Sequence, residues 1–382
     1  MDKPAVIIYS DHLLPISQTF VLAQGEALQS YTPCYVGSRL VTDLPLPKGR
    51  HLTVNRGGIL GRVREAAHLM WRFDPLLLRQ VRKLKPLLVH AHFGPDGVSA
   101  LPLAQSLDIP LLVTFHGYDI TVKDEYARRS FYRHRVYLQR RDLLKQQAAR
   151  FIAVSDFIKE KLLKQGFPPD KVVAHYIGVN IAQFQLDASV VREPIVLFVG
   201  RLTEKKGCEY LIRAMKKVQA LVPAVELVII GDGNLRPSLE QLAQNTLQNY
   251  RFLGSQPPGQ VRAWMNKAQV FSVPSVIAES GDAEAFGIVF AEAQAMGLPV
   301  VSFASGGIPE AVAHGETGFL ATEKDERGLA EHILRLLKDE TLWQQFSQRG
   351  QEWVRSKFDL NAQAQKLEKI YRSVLDETGT AR

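Results

Sequence analysis

IVLFVGRLTEKKGCEYLIRAMKKVQALVPAVELVIIGDG, residues 195–233, holds in one passage the unit from which the fold is built. Its first five residues form a continuous apolar run, the pattern of a strand covered on both faces. The turn GRLTEKKG follows, residues 208–221 read as a helix, and residues 225–230 read as a second buried strand running into GDGN. Strand, helix and strand joined by short loops imply parallel pairing. The alternation continues with a helix at 237–246, a strand at 250–253, a short helix at 261–267 and strands at 270–273 and 299–303. SGGIPE opens another helix, GETGFL forms a last short strand, and helices follow at 329–338 and 342–357. This predicts a doubly wound parallel sheet.

The first half follows the same plan less regularly. Strands are expected at 4–9, 34–37, 51–54, 87–91, 111–115, 151–154 and 172–177. A helix capped by Ser17 is expected after the first strand, and one capped by Ser155 at 156–165. Two basic helical stretches, 62–84 and 124–150, interleave Arg with aromatic and aliphatic residues, and Pro75 must break or kink the first. The irregular segment 181–193 reads as a linker. The expected domains are therefore 1–187 and 194–358, with a last helix in 361–382.

AEAFGIVFAEAQAM, residues 283–296, is the passage richest in chemistry. Glu284 and Glu292 bracket a loop that opens into a short apolar helix stopped by Gly297 and Pro299. Gly287 lets the backbone approach a ligand, and the free N–H groups of Gly287, Ile288 and Val289 make an anion site. Glu292, two turns in, suits a vicinal diol. Anion plus diol describes a nucleotide sugar, although the same spacing also fits an amphipathic helix with two solvated glutamates. GRLTEKKG adds Arg201 and Lys206, a planar fork and a point charge, ahead of a helix N-terminus. A solvated basic loop is the plain alternative. Ser305–Gly307 is a further phosphate or hydroxyl contact by the same reasoning. His92 and His116 fall at corresponding strand ends. Ser17, Gln18 and Thr19 fall where ligands bind in an open parallel sheet.

Exclusions narrow the class. Only Cys34 and Cys208 are present, so neither a disulfide framework nor a zinc cluster is expected, and a reducing cytoplasm suits the chain. The first apolar run is too short for a signal peptide, and no stretch reaches the roughly 18 apolar residues of a membrane span. No two aspartates lie two apart, so there is no DxD metal–nucleotide clamp. P-loop, GxSxG and HExxH patterns are also absent, and VIIGDGN lacks the third glycine of a dinucleotide fingerprint. The net charge of +8 is uneven: residues 1–190 carry 25 Lys and Arg against 16 Asp and Glu. Such a half suits nucleic acid, an anionic membrane or a phosphorylated acceptor. No RNP, KH or helix-turn-helix pattern accompanies it, which argues against nucleic acid.

Taken in order, GRLTEKKG, VIIGDG, FLGSQ, the E-x7-E motif from Glu284 to Glu292, GLPVVSFASGGIPE and GETGFL resemble the family-four retaining glycosyltransferases of the GT-B fold. The first half resembles them through FHGYD. PISQTF stands where many members carry paired glycines, and with HAHFGPDG it is similar to members that build bacterial exopolysaccharides. The resemblance implies two Rossmann-like domains facing across a cleft, with the last helix crossing back to the N-terminal domain. It implies an N-terminal acceptor-binding domain and a C-terminal donor-binding one. Arg201 and Lys206 match the diphosphate-binding pair, Glu292 the ribose-binding glutamate, and Glu284 the residue at the sugar hydroxyls. Ala285, Phe286, Gly287 and Ile288 match the backbone that approaches sugar and diphosphate. Gln256 falls where some members read uracil, and His116 matches a histidine facing the donor sugar. Ser17 and Gln18 lie near the diphosphate. The catalytic set implied is Glu284, His116, Arg201 and Lys206.

The implied reaction is retaining transfer of a hexose from a UDP-sugar, without metal or other cofactor, to a saccharide or lipid-diphosphate-saccharide acceptor. The basic half adds an expected peripheral attachment to the anionic inner face of the cytoplasmic membrane. A GT-B nucleotide-sugar epimerase and a non-catalytic nucleotide-sugar binder are the alternatives.

Overall fold

The computed structural model describes residues 3–13, 15, 18–41 and 46–379. Two compact units emerge, Met1–Gly178 with Leu360–Arg382, and Val179–Asp359.

Unit 1 carries eight strands: β1 (Ala5–Tyr9), β2 (His12–Leu13), β3 (Thr32–Leu40), β4 (His51–Asn55), β5 (Val89–His92), β6 (Leu111–Phe115), β7 (Arg150–Ala153) and β8 (Val172–Ala174). They pair in the order β2-β3-β1-β5-β6-β7-β8, with β4 also against β3, and every pairing is parallel. Unit 2 carries β9 (Glu193–Val199), β10 (Glu226–Ile230), β11 (Tyr250–Phe252), β12 (Ala268–Ser272), β13 (Val300–Phe303) and β14 (Gly318–Ala321). Their order is β11-β10-β9-β12-β13-β14, again all parallel. The doubly wound prediction therefore holds for both units. Each sheet reverses its winding once, between β1 and β5 and between β9 and β12. In open α/β sheets ligands bind outside the strand ends at such a point.

The last helix, Leu360–Glu377, belongs to unit 1. Its Leu367, Tyr371, Val374 and Leu375 enter the core with Val6, Ile8, Tyr35 and Ile152. Each such side chain contributes about 1.5–3 kcal/mol on burial. Polar pins set its register: Glu368 Oε1 accepts the Gln29 and Ser30 N–H groups, each at 2.6 Å, and Tyr371 Oη lies 2.6 Å from His90 Nδ1.

The break expected at Pro75 is present: the stretch 62–84 is two helices, Gly58–Trp71 and Pro75–Lys83. Arg72 turns left-handed (φ 57°) and Asp74 caps the second helix through Leu77 N–H at 2.7 Å, so Pro75 starts that helix. Three expectations are corrected. The stretch 124–150 likewise divides, into Asp124–Arg129 and Tyr132–Gln147. The division between units falls at Gly178/Val179, earlier than expected, because 181–193 is tied into unit 2. Arg192 donates to the carbonyls of Met265 and Ala268 at 2.7 Å and of Met296 at 2.8 Å. The first helix begins at Thr19 with Gln18 in the cap position, and Ser17 lies outside the described residues.

Candidate active site

The loops that follow β9 and β12 meet at the winding reversal of unit 2. The first, after Val199, carries Arg201 and a short 3-10 turn, Glu204–Lys206. The second leads through Asp282 and Glu284 into the helix Ile288–Ala295. Lys206 Nζ lies 2.5 Å from Glu284 Oε2, and Lys205 Nζ 3.0 Å from Asp282 Oδ1. Lys206 and Glu284 are only 14% and 13% exposed, so this pair is poorly screened. Burial pushes the Glu284 pKa up, but Lys206, Lys205 and Arg201 outweigh it and hold the carboxyl at about 2. Glu284 is thus an anion at neutral pH. Arg201 is exposed and its guanidinium has no hydrogen-bond partner among the described residues.

Gly287 caps the helix in a left-handed conformation (φ 80°), which a side chain there would resist and which would drive its Cβ into the Phe290 ring. Phe290 N–H turns back to Gly287 O at 2.9 Å. The N–H groups of Ile288 and Val289 have no acceptor among the described residues, so the predicted anion site keeps its donors. Ala285 and Phe286 are buried, and Phe286 packs on Phe358 with centroids 4.9 Å apart. Ser305–Gly307, expected as a ligand contact, buttresses this loop. Gly307 N–H donates to Glu284 O at 2.8 Å, and a Cβ on Gly306 or Gly307 would collide with the carbonyl of Glu284 or Ala285.

Glu292 sits within the helix. Burial raises its pKa to about 7, against the opposing charge of Arg262. Arg262 was missed from sequence, where it is one basic residue in a short helix, Pro258–Lys267. Its Nη1 is buried without a partner among the described residues, and its guanidinium lies 5.8 Å from the Phe184 ring centroid. Gln256 Nε2 donates to Leu253 O at 2.6 Å, which leaves its carbonyl oxygen available.

In unit 1 the strand ends assemble a second constellation. His116, after β6, places Nε2 3.0 Å from His92 Nδ1, and the two rings stack with centroids 5.2 Å apart. Phe93 and Phe20 close over it at 4.6 and 5.0 Å. Asp119 fixes the turn by accepting the N–H groups of Gly94, Gly117 and His116. Burial, with a contribution from His90, lowers the His116 pKa to about 3, so the ring is neutral, and its Nδ1 is buried without a partner among the described residues. Gln18 Oε1 accepts from Ser10 Oγ at 3.3 Å. Beside it opens a cavity of about 480 Å³ walled by Gln18, Phe93, Asp96, Tyr118, Phe131 and Arg133.

Arg133, read from sequence as one of the basic residues of a surface helix, ion-pairs with buried Asp96 and, at 3.2 Å, with buried Asp11. Both carboxylates went unnoticed in the sequence. Their signal was position, since Asp11 follows the first strand and Asp96 lies in HAHFGPDG. Among the described residues no three His, Cys, Asp or Glu side chains gather to hold a metal ion, and no helix is long and apolar enough to cross a membrane.

Comparison with known proteins identifies the family. Residues 39–183 match the family model described as Glycosyltransferase Family 4, and residues 182–353 match the one described as Glycosyl transferases group 1. The chain is 30% identical over 293 residues to the colanic acid biosynthesis glycosyltransferase WcaL of Salmonella typhimurium, covering 74% of this chain and 70% of that one. It is 32% identical over 255 residues to the amylovoran biosynthesis glycosyltransferase AmsK of Erwinia amylovora, covering 65% and 61%. Its fold is similar to sucrose-phosphate synthase from Thermosynechococcus elongatus, with TM-score 0.78, 23% identity and 98% and 100% of the two chains covered. It is also similar to Anabaena HepE in complex with UDP and glucose, with TM-score 0.75, 20% identity and 97% and 100% covered.

Proposed function

We propose a reaction for this chain, which belongs to the family 4, group 1 glycosyltransferases: retaining transfer of a hexosyl group from a UDP-sugar to a lipid-diphosphate-linked saccharide, in exopolysaccharide synthesis. The observation that carries it is the arrangement at the unit 2 winding reversal, where Lys206 pairs with Glu284 on the loop that leads into a helix start with free N–H groups, and the Arg201 charge acts on the same carboxylate. Cleaving the anomeric bond leaves negative charge on the departing diphosphate. Fixed cations and aligned N–H groups stabilise that charge as it develops. No metal is required for this step, because the cations are the protein's own.

Each named residue then has a task. The diphosphate draws Lys206 from its pairing with Glu284 into a shared one, and Arg201 contributes the second charge. Glu284 accepts hydroxyls of the sugar. With its pKa near 2 it is a weak base, and a lysine covers one of its oxygens. We therefore assign it neither proton abstraction nor a covalent intermediate. The acceptor oxygen bonds to the anomeric carbon on the face the phosphate leaves, and its proton passes to the departing phosphate oxygen. Glu292 takes the ribose diol, and the Gln256 carbonyl takes the uracil imide N–H. Unit 1 takes the acceptor, with His116 and Gln18 in its own strand-end constellation. UDP is favoured because HepE, of similar fold, binds it, and exopolysaccharide because WcaL and AmsK are named for it. The charge excess of unit 1 supports attachment to the cytoplasmic face of an anionic membrane.

The test is a screen of UDP- and GDP-sugars against undecaprenyl-diphosphate saccharides in EDTA. Nucleotide release should require the acceptor, survive chelation and give an α-linkage from an α-donor. Acceptor-independent turnover to a new nucleotide sugar would indicate an epimerase. A β-linked product or a strict divalent requirement would overturn the mechanism.

A further inference from the structure

The helix Gly58–Trp71 is built inside out. Its inward side is polar: Glu65 accepts from Asn55 Nδ2 at 2.6 Å, Arg64 Nη2 reaches Asp74 Oδ1 at 2.7 Å, and His68 Nε2 lies 3.4 Å from Tyr9 Oη. Its outward side is apolar, with Ile59 82%, Leu60 80%, Val63 60%, Met70 67% and Trp71 69% exposed. At 3.6 residues per turn these five, with Ala66 and Ala67, fall on one face. Phe73 and Leu76, in the following turn and helix, are exposed as well. Scattered apolar residues on a surface need no explanation, but a continuous helical face of them marks a docking surface.

Charge identifies what docks. Residues 56–85 hold eight Lys and Arg against two acids, Glu65 and Asp74. Both acids are spent inward, on Asn55 and Arg64, while Arg56, Arg62, Arg79, Arg82, Lys83 and Lys85 are all exposed. A second copy of the chain would bring two such cationic collars together and be repelled. An anionic lipid surface matches both features, since the apolar face enters the acyl boundary and the collar meets the headgroups. We infer that the helix Gly58–Trp71 is a bilayer-inserting element, which lays Ile59, Leu60, Val63, Met70 and Trp71 into an anionic membrane. The inference rests on the reading that the acceptor is held at such a membrane. It replaces diffuse electrostatic attachment by insertion through one face.

Trp71 is the only tryptophan of unit 1 and reports on its own burial. The full chain is mixed with 3:1 phosphatidylcholine:phosphatidylglycerol vesicles whose acyl chains carry bromine. Insertion predicts flotation, quenching of tryptophan emission and loss of that quenching in Trp71→Phe. Ile59→Ser/Leu60→Ser/Val63→Ser should bind at least tenfold more weakly, while its melting temperature and its turnover on a detergent-free soluble acceptor analogue stay at wild-type values. Arg79→Gln/Arg82→Gln should weaken binding at low salt only, as screening removes that part of the attraction. Flotation without quenching, and with undiminished binding by the triple variant, overturns insertion but leaves membrane attachment standing. No flotation of the wild type at low salt overturns both. Concentration-dependent dimerisation without vesicles, abolished by the triple variant, would identify a second copy as the occupant and overturn the inference.

Discussion

Removing the Lys206 amine should unbalance unit 2 before any substrate is present. In Lys206→Met the Glu284 carboxylate keeps its burial but loses the partner at 2.5 Å. Its pKa of about 2 lies some 2.5 below the ordinary 4.5, equivalent to about 3 kcal/mol for its three neighbouring cations together, of which Lys206 is the largest. Breaking a buried pair by deleting one member typically costs about 3–5 kcal/mol, so both routes give the same order. The pH dependence follows from the direction of the shift. A carboxyl with a depressed folded-state pKa stabilises the protein above its unfolded value and loses that contribution as pH falls toward 2. The deficit of Lys206→Met should therefore be full at pH 7, shrink below about 4.5 and nearly vanish only as pH approaches about 2. Lys206→Met/Glu284→Gln, which removes both charges, should recover most of it. The other three tryptophans, Trp264, Trp343 and Trp353, lie in unit 2, so fluorescence-detected urea unfolding in a Trp71→Phe background reads that unit alone. A Lys206→Met midpoint within error of wild type at pH 7, or a double variant no better than the single one, would refute the pairing argument.

Arg201→Ala should cost unit 2 less stability than Lys206→Met, because its guanidinium has no hydrogen-bond partner among the described residues and is the smallest of the three charges acting on Glu284, yet weaken UDP binding roughly 10- to 150-fold, the worth of a charged hydrogen bond; calorimetry beside a melting curve checks both. For Glu292, whose pKa is raised to about 7, the carboxylate form accepts both diol hydroxyls, so UDP affinity should climb between pH 6 and 8 and lose that step in Glu292→Gln. A flat wild-type profile would remove Glu292 from the ribose. His92→Phe, which takes away the nitrogen 3.0 Å from His116 Nε2, should lower kcat about tenfold or more with little change in donor KM, and His92→Asn should restore part of it; initial-rate kinetics with equal losses in both parameters would place His92 in packing alone.

Much of the architecture was legible because buried parallel strands are continuous apolar runs, as at β9 and β10, and loops at their ends carry the polar chemistry. The glutamates 284 and 292 and the lysine–arginine loop were visible for that reason. The pairing of Lys206 with Glu284 was not, since the two belong to different loops brought together by the order β9-β12. Local spacing likewise concealed Arg133, which reads as one more cation on a basic helix until tertiary structure sets it between Asp11 and Asp96. The segment 62–84 misled for a related reason. Arg and aliphatic residues alternate there, and only the fold decides which side faces the sheet. In Gly58–Trp71 it is the polar side, whereas in Pro75–Lys83 Leu77 and Val81 turn inward.

The claim on which everything else depends is that unit 2 holds a nucleoside diphosphate at the β9/β12 reversal. A crystal structure of the protein soaked with UDP in EDTA tests it directly. The account predicts the diphosphate between Arg201, Lys206 and the N–H groups of Ile288 and Val289, with the ribose hydroxyls on Glu292 and no metal. UDP bound elsewhere, or a diphosphate there that touches neither Arg201 nor Lys206, would contradict it.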